Sequence, residues 1–224
     1  VNRIVTLLYR GLVREVINRR FPKCVRAVPT RMLGLTDRGV FHGELVDPNV
    51  EVTSVDIARA GILPSMVCFE ALCEILTPGK VRQDHILMNR TTDSSDQVTG
   101  AATAGRKIAG PIADRFLLFP DPMGATGGSL SQAIRFYREE LDGEPRHCFA
   151  LNLIVTPEFI RRLTDDFPGK VDIFAYRLDR GMSPPDVLLS RPGSQRDRES
   201  GLNDIQYIVP GAGGMGEVMN NALS

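Results

Sequence analysis

A run of small residues between positions 121 and 129 carries the residue types that bind a phosphate monoester. It reads Asp121-Pro122-Met123-Gly124-Ala125-Thr126-Gly127-Gly128-Ser129. Its glycines let the backbone approach a bulky anion, and the hydroxyls of Thr126 and Ser129 can donate hydrogen bonds. Asp121 stands where the hydroxyls of a sugar would lie. The segment therefore predicts a site for a phosphorylated sugar.

The residues on either side predict the elements that position this loop. The apolar run Phe116 to Phe119 indicates a buried strand, and the pattern after Ser129 indicates a helix. A strand delivers the loop to the carboxyl edge of a sheet, and the helix offers unpaired N–H groups and its dipole. The loop matches neither a Walker A sequence nor the dinucleotide fingerprint. An ordinary strand–turn–helix connection stays open as the structural alternative.

The loop 121–129 resembles the phosphoribosyl pyrophosphate (PRPP) loop of type I phosphoribosyltransferases. Its opening Asp-Pro-Met is similar to the version in uracil phosphoribosyltransferases. Arg59-Ala60-Gly61 resembles the pyrophosphate loop of that family, and the segment 207–217 resembles the hood that covers uracil. The resemblance extends from about Thr30 to Glu217.

The resemblance implies an α/β type I phosphoribosyltransferase fold, with a mainly parallel central sheet flanked by helices. Strand patterns that alternate with helical patterns agree with this expectation. We predict one domain over 1–224, with a small C-terminal hood and an N-terminal hairpin arm. Its special segments are a β-arm at 25–46, a mobile lid loop at 91–106, an exposed loop insertion at 180–201 and the base-binding hood at 202–217.

The activity implied is transfer of 5-phosphoribosyl from PRPP to N1 of uracil, which gives UMP and pyrophosphate. Mg²⁺ would be bound through PRPP and water, and the sequence shows no protein metal site. The implied catalytic residues are Asp121, Arg59 and Arg90. The implied PRPP-binding residues are Arg59, Arg90, Lys107, Asp121, Met123, Gly124, Ala125, Thr126, Gly127, Gly128 and Ser129. The implied uracil-binding residues are Tyr207, Ile208, Gly213, Gly214 and Met215.

The hood departs from the family pattern at three positions. Gly214 and Glu217 stand where the family has aspartates, and Met215 replaces an alanine. Three outcomes stay open: a weakened activity, a substitute for the lost acid, or a changed substrate. The alternatives are a phosphoribosyltransferase for another base and a degenerate regulator that binds PRPP or UMP. If uracil is the substrate, Gly214→Asp should raise activity.

Composition narrows the remaining possibilities. The 27 basic and 27 acidic residues give no net charge, which argues against a nucleic-acid partner. The cysteines Cys24, Cys68, Cys73 and Cys148 form no Cys-x-x-Cys pair, so we expect free thiols in a reducing compartment. No long apolar run suggests a membrane partner. We expect a cytoplasmic homodimer or higher homo-oligomer, and because the sequence starts at Val1, a preceding segment stays open.

Overall fold

The computed structural model describes residues 1–92 and 98–222, without the side chains of 89–92 and 98–103. The helices are α1 (Asn2–Arg20), α2 (Ile62–Cys73), α3 (Gly128–Glu139), α4 (Pro157–Asp166), α5 (Pro185–Leu188) and α6 (Met215–Asn220). The strands are β1 (Lys23–Pro29), β2 (Val40–Val46), β3 (Val52–Ala58), β4 (Val81–Thr92), β5 (Val98–Lys107), β6 (Phe116–Pro120), β7 (Met123–Gly124), β8 (His147–Val155) and β9 (Val171–Leu178).

The main sheet is parallel except at one edge. Its order is β5, β4, β3, β6, β8, and both β7 and β9 also pair with β8. Only β5, among the described strands of this sheet, is antiparallel to its neighbour. Parallel strands end at the same edge of a sheet, so the residues that follow β3, β6, β8 and β9 meet there. These residues are Arg59, Asp121, Thr156 and Asp179.

Helices cover both faces of this sheet, as the alternation of side chains along β6 shows. Phe116 and Leu118 belong to a core cluster that includes α1 and α2. Leu117 and Phe119 belong to a second cluster with α3 and α4. A strand buried on both faces needs an apolar residue at every position, which explains the continuous apolar runs in the sequence. The predicted α/β fold with a mainly parallel sheet is confirmed.

The predicted hairpin near the N-terminus forms a separate two-stranded sheet. Strands β1 and β2 pair antiparallel from Lys23 opposite Val46 to Pro29 opposite Val40. In the connecting turn the Gly39 amide donates to the carbonyl of Thr36. The arm exposes apolar side chains that include Val25, Leu35 and Phe41. We call residues 23–46 the hairpin arm.

The prediction of a loop over 91–106 is wrong for its described part. Strand β4 runs through Thr92, and β5 pairs with it antiparallel from Val98 to Lys107. Apolar alternation is absent there because a strand pair is held by backbone hydrogen bonds, which do not require a buried face. Residues 93–97 lie outside the described residues, so the lid itself stays a prediction.

The predicted insertion at 180–201 is mostly exposed but has an ordered interior. Arg180 and Glu199 are both buried, and the Arg180 guanidinium lies 3.0 Å from the Glu199 carboxylate. Arg180 also donates to the carbonyls of Val187 and Leu188 around α5. The prediction of a plain exposed loop was therefore wrong at these anchors, because Arg180 and its partners form a buried interior that the polar composition did not indicate. No helix in the described ranges has the length and apolar character needed to cross a bilayer.

Candidate active site

The loop after β6 begins with a turn built by Asp121. The Asp121 amide donates to the carbonyl of Leu151 at 3.0 Å. One carboxylate oxygen of Asp121 accepts from the Met123 amide at 3.0 Å. This local bond sets the direction in which the chain leaves the sheet edge.

The loop then enters α3 through two glycines. Gly127 precedes the helix with a φ of +76°, which favours glycine. The Thr126 hydroxyl oxygen accepts from the Gly128 amide at 3.3 Å, and Ser129 is half-buried in the first turn. Because the first N–H groups of a helix have no intrahelical partner, the loop and α3 together offer donors to an anion. We call residues 121–129 the phosphate loop.

Three residues that sequence reasoning did not single out support the phosphate loop from below. The Asn152 amide group donates to the Asp121 carbonyl at 2.6 Å. The Thr156 hydroxyl donates to the Ala125 carbonyl at 2.6 Å. A Cβ added at Gly124 would lie 2.9 Å from atoms of the Phe159 ring. Asn152 had one signal in the sequence, because it is the polar interruption of an otherwise apolar strand.

The segment Arg59-Ala60-Gly61 turns sharply between β3 and α2. The Ala58–Arg59 peptide bond is cis, and the Gly61 amide donates to the Ile57 carbonyl at 3.0 Å. A Cβ on Gly61 would lie 2.7 Å from that carbonyl oxygen, so only glycine fits without a shift. The Arg59 side chain is 45% exposed and contacts the Glu217 carboxylate at 2.8 Å. Arg59 therefore stands at the sheet edge with a fixed anionic neighbour.

Backbone and side-chain bonds hold the hood in place. The Val209 amide donates to the Gly201 carbonyl at 2.8 Å. The Gly211 amide donates to the Asp179 carboxylate at 2.8 Å, and Arg177 donates to the Gly211 carbonyl at 2.9 Å. The hood is thus tied to the end of β9 rather than being a free glycine-rich tail.

The hood and the phosphate loop lie at the same edge of the sheet. A Cβ added at Gly201 would lie 3.1 Å from Thr156, which itself bonds the phosphate loop at Ala125. On the other side, a Cβ added at Gly216 would lie 3.4 Å from the Ala60 side chain. Ala60, Met123, Ile208 and Met215 all pack against the same core cluster.

The structure therefore places three predicted segments, the Arg59 turn, the phosphate loop and the hood, at one edge of the sheet. These segments contain the predicted site residues Arg59, Asp121, Met123, Gly124, Ala125, Thr126, Gly127, Gly128, Ser129, Tyr207, Ile208, Gly213, Gly214 and Met215. Their assignment to one ligand site stays a prediction.

Two further predicted basic residues belong to β4 and β5. The backbone of Arg90 lies in β4, and its side chain is outside the described part of the chain. Lys107 ends β5 opposite His85, is exposed, and sits before the carboxyl end of β4. The register of β5 thus places the Lys107 backbone below the sheet edge. Its assignment to the site stays a prediction.

A buried carboxyl lies beneath the Arg59 turn. The Asp56 side chain is 5% exposed, and its Oδ2 is 2.9 Å from His85 Nδ1. Its Oδ1 has no hydrogen-bond partner among the described residues. Burial raises the pKa of Asp56, and the bond to His85 opposes that rise.

The Asp121 carboxylate affects the pKa of Tyr9, a buried residue of α1. Burial, and then the negative charge of Asp121, raise the pKa of Tyr9 well above its ordinary value. The Tyr9 hydroxyl donates to the carbonyl of Leu151 at 3.2 Å.

Among the described residues no group of three or more histidine, cysteine or acidic side chains could hold a metal ion.

A groove of about 550 Å³ lies elsewhere, along β9 and α4. Its lining includes Ile160, Thr164 and Arg177 and none of the predicted site residues. None of its lining residues belongs to the phosphate loop or to the Arg59 turn, so its size does not make it the active site. The residues that could do chemistry lie instead on the open edge of the sheet.

Comparisons with known proteins agree with this geometry. The family model for uracil phosphoribosyltransferase matches residues 3–198. A uracil phosphoribosyltransferase of Caldanaerobacter subterraneus subsp. tengcongensis is 31% identical over 93% of this chain and 83% of its own. One from Thermoanaerobacter sp. (strain X514) is 34% identical over the same shares.

A solved structure, the AQ2163 protein from Aquifex aeolicus, has the same fold. It superposes with a TM-score of 0.66 at 21% identity and covers 96% of this chain and 83% of its own. The family-model match ends before the hood, which is where the sequence departs from the family pattern. The family model matches most of this chain, and the two relatives named above are similar to it over most of their length. This chain therefore belongs to the uracil phosphoribosyltransferase family and has the type I phosphoribosyltransferase fold.

Proposed function

We propose that this protein transfers 5-phosphoribosyl from PRPP to N1 of uracil and releases UMP and pyrophosphate. The observation that carries the proposal is the shared edge of the phosphate loop, the Arg59 turn and the hood. A sugar phosphate, a pyrophosphate and a flat base need three different surfaces within one cleft. The three segments offer hydroxyl and amide donors, a guanidinium and glycine-rich backbone, in that order.

The phosphate loop would hold the 5-phosphate of PRPP through donors at Thr126, Gly127, Gly128 and Ser129. Asp121 would accept hydrogen bonds from the ribose hydroxyls. Met123 and Ala125 would line the side of the loop, and Gly124 allows the loop to lie close to Phe159. This division follows from chemistry, since donors suit a phosphate and a carboxylate suits hydroxyls.

Pyrophosphate would be bound by Arg59, with Arg90 and Lys107 as the further cations. The transition state of such a transfer carries positive charge on the ribose. Catalysis then rests on positioning and on electrostatic stabilisation. Asp121, Arg59 and Arg90 are the proposed catalytic residues because they would touch the reacting sugar or its leaving group.

Uracil presents two carbonyl acceptors that flank an N–H donor. The hood displays backbone at Gly213 and Gly214, and both residues are exposed. Tyr207, Ile208 and Met215 would enclose the ring. Backbone amides and carbonyls can complement the ring without a charged side chain.

Mg²⁺ would be held mainly by PRPP oxygens and water, which suits a cation that keeps much of its hydration shell. When bound, it would neutralise charge on the pyrophosphate.

A homodimer or higher homo-oligomer is proposed because the hairpin arm exposes several apolar side chains. We propose the cytoplasm as its location, where PRPP and free thiols both occur.

A steady-state assay with PRPP, Mg²⁺ and radiolabelled uracil tests the proposal. We expect UMP to form and cytosine, orotate, hypoxanthine and adenine to react far more slowly. A different preferred base would give the alternative phosphoribosyltransferase, for which Met215 in the hood is the motivating residue. PRPP binding by calorimetry without turnover of any base would give the regulator instead.

A further inference from the structure

Glu217 reaches back from α6 into the space beside Gly214. An ideal Cβ at Gly214 would lie 2.2 Å from Oε2 of Glu217. The Glu217 carboxylate therefore occupies the volume that any side chain at position 214 would need. The contact joins the residue before α6 to a residue in the first turn of α6.

The same carboxylate holds Arg59. Its Oε1 accepts from an Arg59 terminal nitrogen at 2.8 Å, while Oε2 lies over Gly214. Arg59 and Glu217 are 45% and 34% exposed, so the pair is at the rim of the cleft rather than in the core. Gly216, next to Glu217, packs on Ala60, next to Arg59. Two adjacent contacts thus fix α6 against the Arg59 turn.

We propose that Glu217 is the positioning residue for Arg59 and supplies, from position 217, the carboxylate that position 214 lacks. A side chain at position 214 would require the Glu217 carboxylate to move from its place beside Arg59. This inference rests on the proposed function, since Arg59 must bind the pyrophosphate of PRPP for its orientation to matter. It also reverses the earlier expectation for Gly214→Asp, because the new side chain would displace Glu217 from Arg59.

The obvious alternative is a local role at the start of α6. An acidic side chain in the first turn of a helix can interact with the unpaired N–H groups there. A local role would change the stability of the hood without changing how tightly PRPP binds. The measurements must therefore separate PRPP affinity from stability.

The test compares Glu217→Ala, Glu217→Gln and Gly214→Ala with the wild-type protein. We expect each to raise the KM for PRPP about fivefold to tenfold, with the KM for uracil changed less than about twofold. Gly214 has a φ of −75°, so alanine there brings a side chain without backbone strain. Gly79→Ala is the matched control, because nothing lies within 4 Å of a Cβ at Gly79.

Two double variants make the test specific. Gly214→Asp alone should raise the KM for PRPP, and Gly214→Asp with Glu217→Ala should recover most of the loss. Arg59→Ala with Glu217→Ala should be no worse than Arg59→Ala alone, since Glu217 acts through Arg59. An unchanged or lower KM for PRPP in Glu217→Ala overturns the inference. The inference also fails if the KM for PRPP of Gly214→Asp with Glu217→Ala is no lower than that of Glu217→Ala.

Calorimetry with PRPP keeps this inference separate from the proposed function. If the wild-type protein binds PRPP but forms no UMP, the proposed function fails, and the Kd of the variants still tests Glu217. Thermal melting identifies any variant that loses its fold, and Glu217→Gln then serves as the milder change. A fall in melting temperature with an unchanged Kd for PRPP would assign Glu217 to helix capping and reject its role on Arg59.

Discussion

At the scale of single residues, the carboxyl of Asp56 near the site is buried in a way that disfavours its charged form. Its side chain is almost fully buried, one oxygen contacts His85, and the other has no partner among the described residues. Burial is the larger influence and raises the pKa of Asp56. The folded protein therefore holds a proton on Asp56 more tightly than the unfolded chain does.

Asp56→Asn should remove a pH dependence from folding stability. In the wild type, the contribution of Asp56 is present below the unfolded pKa of about 4 and is lost as pH rises through the higher folded pKa. The variant carries no such charge, so its unfolding free energy relative to wild type should rise between pH 4 and pH 7. Urea unfolding at several pH values measures this difference.

Asp37→Asn, in the exposed turn of the hairpin arm, is the control for that experiment. It replaces the same charge with the same amide in solvent. If Asp56→Asn and Asp37→Asn give the same trend with pH, burial of Asp56 does not penalise its charge.

Some residues of the candidate site could be predicted from the sequence, and others could be identified from the structure alone. The phosphate loop was found because its residues are contiguous in the chain. Arg59 was found because Arg59-Ala60-Gly61 resembles the pyrophosphate loop of the family. Asn152, Thr156 and Glu217 act on partners far away in sequence. The contact of Glu217 with Arg59 depends on how α6 packs on Ala60. A spacing pattern contains no information on such a packing angle, so the role of Glu217 could only be read from the structure.

At the scale of elements, the part of the phosphate loop that forms β7 lies between β8 and α4. The short β7 pairs with the end of β8, and Gly124 within it lies against the buried ring of Phe159 in α4. The Thr156 hydroxyl, at the start of α4, bonds both the loop at Ala125 and its own helix at Phe159. The position of the loop is therefore set by the packing of α4.

Gly124→Ala should loosen this arrangement. The added methyl group would lie 2.9 Å from the Phe159 ring, and overpacking of this kind costs about 1–3 kcal/mol. We expect a lower melting temperature and a higher KM for PRPP, because α4 and the loop must move apart. Thermal melting and steady-state kinetics measure both effects.

The companion variant Gly124→Ala with Phe159→Leu should regain part of both losses, since leucine is smaller at the point of contact. Gly34→Ala, where a Cβ meets nothing within 4 Å, is the control. Gly124→Ala with the melting temperature of Gly34→Ala would mean that the ring yields at no cost.

The core strands of the sheet could be predicted from the sequence, and the edge strand β5 could not. Strands β6 and β8 are apolar at nearly every position because helices cover both faces. Strand β5 has no such pattern, because it is an edge strand and, among the described strands, pairs with β4 alone. Its backbone bonds leave no trace in hydrophobic periodicity, which explains the mistaken loop over 91–106.

At the scale of the whole molecule, the insertion 180–201 links β9 to the hood through a buried ion pair. Arg180 and Glu199 face each other at 8% and 1% side-chain exposure. The Gly193 amide donates to the same Glu199 carboxylate, and the Gly201 amide donates to Glu158 of α4. The polar insertion therefore acts as a brace between the sheet and the first residues of the hood.

Glu199→Ala should destabilise the protein by about 3 kcal/mol, because removal of one partner leaves a buried uncompensated charge. Asp186→Ala is the matched control: its pair with Arg198 is 62% and 52% exposed, so its loss should destabilise the protein much less than Glu199→Ala does. Urea unfolding gives both values, and limited proteolysis within 181–198 should be faster only for Glu199→Ala. Equal losses for the two variants would show that the buried pair carries no special weight.

The residues of the cleft come from widely separated parts of the chain, and Arg59 and Glu217 are 158 positions apart. During synthesis, the turn that carries Arg59 is made long before the helix that restrains it. Affinity for PRPP should consequently be among the last properties that a nascent chain acquires, after the core of the sheet has already formed. Acquisition of that affinity would mark the completion of folding in this enzyme family member.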